Sequence, residues 1–270
     1  MEVSTFELLV KRIAPPPAAS AIARRVVQGY FLTISNLENE AFQYTLDFYI
    51  SLPNPPNSNR TLVNNAVVLI DVAGANQPLT LTPTNATVST TRFSTSFSLG
   101  ARQTASVQLL PNLTPALLAE TNPDLEVRGF VEIRLPAIFR RAPLFRRVPQ
   151  SNRPVKVLLN PEIRGTFLPN NITNTTDFDQ INYPLALASG NGLNQIEPEP
   201  GGPILINPGV IDRLPQLGQL PFDFTSLSEV EQANILAEVM GQIDPNNDNL
   251  QNVNQLLSNL NIPIRMNNAS

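Results

Sequence analysis

The feature that most constrains this chain is an alternation of apolar and polar residues, in short runs cut by Gly, Pro and Asn. It recurs about every dozen residues as far as position 168. The clearest run is residues 126–135. Val127, Gly129, Val131, Ile133 and Leu135 fall on one face, and Arg128, Phe130, Glu132 and Arg134 on the other. That is the period of a half-buried strand, since successive side chains of an extended backbone point to opposite sides. Residues 155–168 repeat the pattern, and the two runs are expected to pair as a hairpin around the insert between them.

Other strand signals are shorter. Residues 6–13 read as an edge strand, ended by Pro15, Pro16 and Pro17, which stiffen the chain in extended form. Residues 24–36 and 42–50 are rich in β-branched and aromatic side chains and, broken by Leu37, Glu38, Asn39 and Glu40, are expected to form an antiparallel hairpin. Residues 66–72, 79–81, 88–99 and 104–110 add further strands. Residues 113–120 carry helix formers behind a Thr-Pro start and read as one or two helical turns. So many short strands with little helix point to a mainly β chain, an antiparallel β-sandwich over residues 1–168. Residues 99–111, Leu-Gly-Ala-Arg-Gln-Thr-Ala-Ser-Val-Gln-Leu-Leu-Pro, place a turn before an alternating strand. This stretch resembles the late strands of bacterial immunoglobulin-like domains. The resemblance covers at most residues 24–168; it implies an immunoglobulin-like sandwich and transfers no function.

Composition narrows the chemistry. The 270 residues include no Cys, His or Trp, which removes disulfides, thiol nucleophiles, imidazole bases and the commonest transition-metal ligands. Glycine-rich phosphate loops, dinucleotide fingerprints and nucleophile elbows are absent. The carboxylate pairs Asp177/Asp179, Glu197/Glu199 and Glu229/Glu231 stand two residues apart in loop or helix-start contexts, where solvated carboxylates are common. Asp244, Asn246 and Asp248 match the first three ligand positions of a calcium loop and resemble those of EF-hand or dockerin loops. Asn249 replaces the turn glycine, however, and Gln255 the bidentate carboxylate. An Asx turn is the expected role. We therefore expect no catalytic activity, cofactor or metal. No apolar run approaches the ~18 residues of a membrane-spanning helix, and the first residues lack the basic start and apolar centre of a secretory leader; the compartment stays open.

Charge and repeats suggest a binding role. Residues 1–165 carry 16 Lys and Arg against 11 Asp and Glu, a net of +5, whereas residues 166–270 carry 2 against 11, a net of −9. Within the basic part lies a tandem hexapeptide, Ile-Phe-Arg-Arg-Ala-Pro at 138–143 and Leu-Phe-Arg-Arg-Val-Pro at 144–149. Arg140, Arg141, Arg146, Arg147 and Arg153 crowd together without a neighbouring carboxylate, flanked by Phe139 and Phe145. Six being an even number, an extended insert would show both copies to the same side. Guanidiniums so gathered repel unless an anion lies among them: either the insert is a solvated loop whose Phe side chains tuck against the edge of the core, or an acidic protein surface is the expected partner. Nucleic acid and membrane are disfavoured because the whole chain carries −4.

Residues 169–224, rich in Asn, Thr, Pro and Gly, are expected to form an irregular arm over the sandwich. Residues 225–270 read as an acidic αα-hairpin. Two overlapping capping boxes, Ser226 with Glu229 and Ser228 with Glu231, precede a stripe through Ile235, Leu236, Val239, Met240 and Ile243. A second amphipathic helix carries Leu250, Val253, Leu256, Leu257 and Leu260. Two short helices with few charged pairs need a partner surface to hold them. The expected function is a non-enzymatic structural or assembly protein that self-associates into a homo-oligomer. Its basic tip and the tail stripe are the partner-binding elements. The alternative is a carbohydrate-binding or adhesive module, which a row of exposed aromatics would favour; the faces of Tyr30, Tyr44 and Tyr49 are left open by the sequence.

Overall fold

The alternating runs become strands. A computed structural model of the chain describes residues 1–14, 24–83, 89–140, 146–168 and 179–203. The strands are β1 (Glu2–Arg12), β2 (Arg25–Asn36), β3 (Phe42–Ile50), β4 (Ala66–Asp71), β5 (Asn76–Leu79), β6 (Thr82–Pro83), β7 (Arg92–Leu99) and β8 (Thr104–Pro111). They continue with β9 (Asp124–Arg134), β10 (Ile138–Arg140), β11 (Arg146–Val148), β12 (Val155–Leu168), β13 (Asp179–Pro184), β14 (Leu193–Ile196) and β15 (Gly202–Pro203). A short helix, α1 (Pro115–Ala119), starts where expected, with the Thr114 hydroxyl accepting from the Leu117 amide at 3.2 Å.

Two compact units divide the chain. The first comprises Met1–Pro136 and Gln150–Glu199. It holds a single 12-stranded antiparallel sheet whose main path runs β5-β4-β8-β2-β1-β9-β3-β7-β6, with β12 added to β2 and both β13 and β14 to β12. The sheet curls because β2 changes neighbours along one edge. Its residues 25–28 pair with β1, its residues 30–35 with β8, and β12 lines the opposite edge throughout. Gly29 sits at the changeover, where a Cβ would stand 2.9 Å from the Leu109 carbonyl oxygen and 2.8 Å from the Leu110 side chain. Only glycine permits so close an approach.

Inward residues of every long strand meet in one core, among them Leu8, Val10, Leu32, Ile34, Leu46, Val107, Leu109, Val127, Val131, Val157 and Ile163. Fully burying such a side chain stabilises by about 1.5–3 kcal/mol, which makes this core the main support of the fold. Phe6, Tyr30 and Phe48 form its aromatic centre. The Phe6 and Phe48 rings stand edge-on at 5.7 Å, and Tyr30 and Phe48 at 6.5 Å.

Strand identities hold better than pairings. Residues 126–135 and 155–168 do not form a hairpin: β9 lies between β1 and β3, while β12 pairs with β2, β13 and β14. Nor do β2 and β3 pair; β3 joins β9 and β7 instead. The connection between them is held open. The Asn36 side-chain amide donates to the Glu40 and Gly100 carbonyls at 2.7 and 2.8 Å, and the Glu38 carboxylate accepts from Arg153 at 2.6 Å and from the Lys156 amide at 3.1 Å. Residues 6–13 are no edge, because β1 pairs with β9 along most of its length and with β2 at its end. The stretch expected as an irregular arm contains two strands that extend the sheet: β13 runs against residues 162–167 of β12 and β14 against residues 155–158. The αα-hairpin expected at 225–270 lies outside the described residues.

In the second unit, which comprises Ala137–Pro149 and the chain from Pro200 on, β10, β11 and β15 form a three-stranded antiparallel sheet in that order.

Candidate functional site

The basic insert folds back on itself. Strands β10 and β11 pair with Ile138 opposite Val148, Phe139 opposite Arg147, and Arg140 opposite Arg146. The two hexapeptide copies therefore run antiparallel as paired strands rather than as one extended segment. On the far edge of β11, β15 pairs Gly202 with Arg147 and Pro203 with Arg146. Gly201 allows this approach, since a Cβ there would lie 2.3 Å from the Arg147 carbonyl oxygen. The Arg147 guanidinium donates to the Ala137 carbonyl at 3.3 Å. Arg141 and Phe145 lie outside the described residues, as do Leu250, Val253, Leu256, Leu257 and Leu260 and the calcium-like Asp244, Asn246 and Asp248. Arg153 belongs to the first unit, where it pairs with Glu38. The Lys156 amide and the Arg153 guanidinium hold the Glu38 carboxyl below its usual range.

The outward face of β1, β9, β3 and β7 is a charge ladder. Arg128 contacts Glu7 at 2.5 Å and Glu126 at 2.6 Å; Lys11 contacts Glu126 at 2.6 Å and Asp124 at 3.4 Å; Arg60 contacts Asp124 at 2.9 Å. At its centre Asp47, 0% exposed, accepts from Arg92 at 2.9 Å, from Arg134 at 2.5 Å and from the Ser94 hydroxyl. Arg134 reaches on to Glu199. Burial by itself would raise the Asp47 pKa, but the hydrogen bonds from Arg134, Arg92 and Ser94 outweigh it and the net direction is down. Glu126 is lowered chiefly by Lys11; Asp124 is lowered because Arg60 and Lys11 outweigh its burial. Among the described residues no group of three or more Asp and Glu is placed to hold a metal ion.

Beside the ladder lies an open cleft of about 500 Å³. Its floor is Phe6, Gly129 and Ile163; Phe130 and Tyr183, 43% and 38% exposed, line it together with Glu7, Arg128, Thr5 and Ser51. The Phe130 ring stacks on Tyr49 at 4.8 Å with planes 8° apart, and the Arg92 guanidinium lies over Tyr49 at 5.4 Å. Burial raises the Tyr183 hydroxyl pKa and the Glu7 charge adds to it. Tyr30 and Tyr44 are core residues, and a row of the three tyrosines does not form. Sequence reasoning missed this site, though a signal was present. Phe130 is the apolar residue in the polar phase of β9.

Comparison with protein families, curated proteins and solved structures finds no match for this chain.

Proposed function

We propose that this protein is a non-enzymatic assembly protein that binds protein partners, foremost further copies of itself, through the β10–β11 hairpin and the acidic chain that follows β15. The observation that carries this reading is the register of the hairpin. The backbone register sets Arg140 opposite Arg146, two cationic positions in a segment whose sequence holds no Asp or Glu from residue 133 to residue 161. Strands two or three residues long add little to hold them there. An anionic surface is the complement of such a segment. β15 leads directly from it into residues 204–270, which carry 7 Asp and Glu against 2 Arg. Opposite charge is thus tethered where it is needed, and docking onto a neighbouring chain makes a heterologous contact that closes into a ring or extends as a filament.

The carboxylates of the ladder support the non-enzymatic part of this reading. A general acid at neutral pH needs a raised pKa, and Asp47, Asp124 and Glu126 are all held down by cations. We also infer that the curled sheet works as two facing layers of an immunoglobulin-like sandwich, β5-β4-β8-β2-β12 over β1-β9-β3-β7. In support, Tyr30 of β2 and Phe48 of β3 share no ladder yet meet edge-on.

The test is mass in solution. Sedimentation equilibrium of the full chain at low and high salt should show an oligomer that weakens as salt rises, because exposed charge pairs are screened beyond about 8–10 Å. Changing Arg140, Arg141, Arg146 and Arg147 together to Ser should leave the circular dichroism of the β body intact and reduce the mass at low salt. A quadruple variant that assembles like the parent at every salt concentration refutes the proposal.

A further inference from the structure

The cleft of the first unit has a geometry unrelated to the basic hairpin. We propose that the cleft between Phe130 and Tyr183 binds a neutral pyranose sugar, one ring of an oligosaccharide. Four features of the site combine. The cleft volume, about 500 Å³, falls within the roughly 300–1,000 Å³ usual for small-ligand sites. Phe130 and Tyr183 expose aromatic surface to it, and a flat aromatic face packs against the C–H face of a pyranose ring. Side chains of both hydrogen-bonding senses line the rest: the Glu7 carboxylate accepts, the Arg128 guanidinium donates, and the Thr5 and Ser51 hydroxyls do either. Finally, Glu7 and Arg128 already neutralise one another at 2.5 Å, with Gln28 donating to the second Glu7 oxygen at 3.0 Å. The site offers polar atoms without net charge. A polyol satisfies such a rim, whereas an ionic ligand finds no counter-charge and a purely apolar side chain leaves the rim unpaired.

The cleft is also built in advance. Arg92 on Tyr49, and Tyr49 on Phe130, form a continuous stack that fixes the Phe130 ring before any ligand arrives, and a fixed ring loses little entropy on binding. Gly129 lets β9 approach β3 and Phe6 closely beside the cleft. A Cβ there would fall 1.7 Å from the Tyr49 carbonyl oxygen and 2.9 Å from the Phe6 ring.

The experiment uses the full chain, titrated by calorimetry with cellopentaose, xylopentaose, mannopentaose and chitopentaose, and separately with N-acetylphenylalaninamide. At least one saccharide should bind saturably, with a Kd on the order of 1 mM or tighter. Phe130→Ala and Tyr183→Ala should each weaken it by about tenfold. Leu193→Ala, at an exposed site outside the cleft, should bind like the parent. Phe130→Leu keeps an apolar contact with Tyr49 while removing the ring, and should lose binding even if Phe130→Ala fails to fold. The proposal is overturned if no saccharide binds, if binding survives Phe130→Leu and Tyr183→Ala unchanged, or if N-acetylphenylalaninamide alone binds, which would make the cleft a peptide site.

Discussion

Replacing Asp47 with Ala probes the ladder at the point where most bonds converge. The carboxylate accepts three charge-assisted or hydroxyl hydrogen bonds, from Arg92, Arg134 and Ser94, while itself excluded from water. Removing one partner of a buried ion pair costs about 3–5 kcal/mol, because the other charge is stranded. Here the stranding is partial. Arg134 keeps Glu199, Arg92 keeps the Tyr49 ring, and both guanidiniums are partly exposed, which places the cost near the low end at about 3 kcal/mol. For a chain of this size that lowers Tm by about 6–12 °C, as each kcal/mol moves it about 2–4 °C. Urea unfolding followed by circular dichroism reads the same quantity at equilibrium.

The sign of the pH dependence follows from the lowered pKa. A carboxyl with a folded pKa below its ordinary 3.8 contributes stability that is fully present above that value and is lost as pH falls through the folded one. Parent and Asp47→Ala should therefore differ by a constant amount from pH 7 to about 5 and converge below about 4. Asp47→Asn, which keeps the shape and one acceptor, should fall between them. A loss under about 1 kcal/mol at pH 7, the range of an exposed pair, refutes the view that this ladder is structural.

Two further outcomes follow from the core. Tyr44 buries its hydroxyl without a partner among the described residues, so Tyr44→Phe should be neutral or stabilise by about 1 kcal/mol, whereas Tyr30→Phe breaks the 3.1 Å bond to Ser4 and should destabilise by about 1–2 kcal/mol; urea midpoints that reverse this order would contradict the assignment. A double-mutant cycle of Tyr30→Leu and Phe48→Leu should give a coupling of about 0.5–1.5 kcal/mol if β2 and β3 face each other across two layers, and additive losses would count against the sandwich.

How far the sequence could be read differs between faces and neighbours. The period-two alternation of β9 and β12 fixed which residues turn inward: Val127, Val131 and Ile133 are buried, and Arg128, Glu132 and Arg134 join the outer ladder. Alternation says nothing about which strand lies alongside. Nearness in sequence suggested pairing β2 with β3 and β9 with β12, yet β1 pairs with β9 more than a hundred residues away. Gly29, Asn36 and Glu38 make close long-range contacts at these junctions and read as ordinary turn and strand residues until their distant partners are known. The cleft was half legible. Phe130 stood out as an apolar residue in a polar phase, but Tyr183 and Gly129 gain meaning only when β13 is added beyond β12. The basic repeat was legible as a cluster, but its even period fits a hairpin as well as an extended run, and the pairing of β10 with β11 is what distinguishes them.

The distribution of charge ties the two proposed surfaces to different kinds of partner. On the first unit, Arg60, Arg92, Arg128, Arg134 and Arg153 each contact at least one carboxylate, so its outer face presents mainly paired charge. A neutral ligand suits such a surface, since its hydrogen bonds need not compete with a net field. Between Glu132 and Glu162 the sequence holds no carboxylate, which makes the hexapeptide segment a basic stretch of the chain. The docking proposed for that segment would be steered by long-range attraction at a rate that falls with salt. Salt should consequently separate the two activities: assembly through the hairpin weakens as ionic strength rises, and sugar binding in the cleft does not.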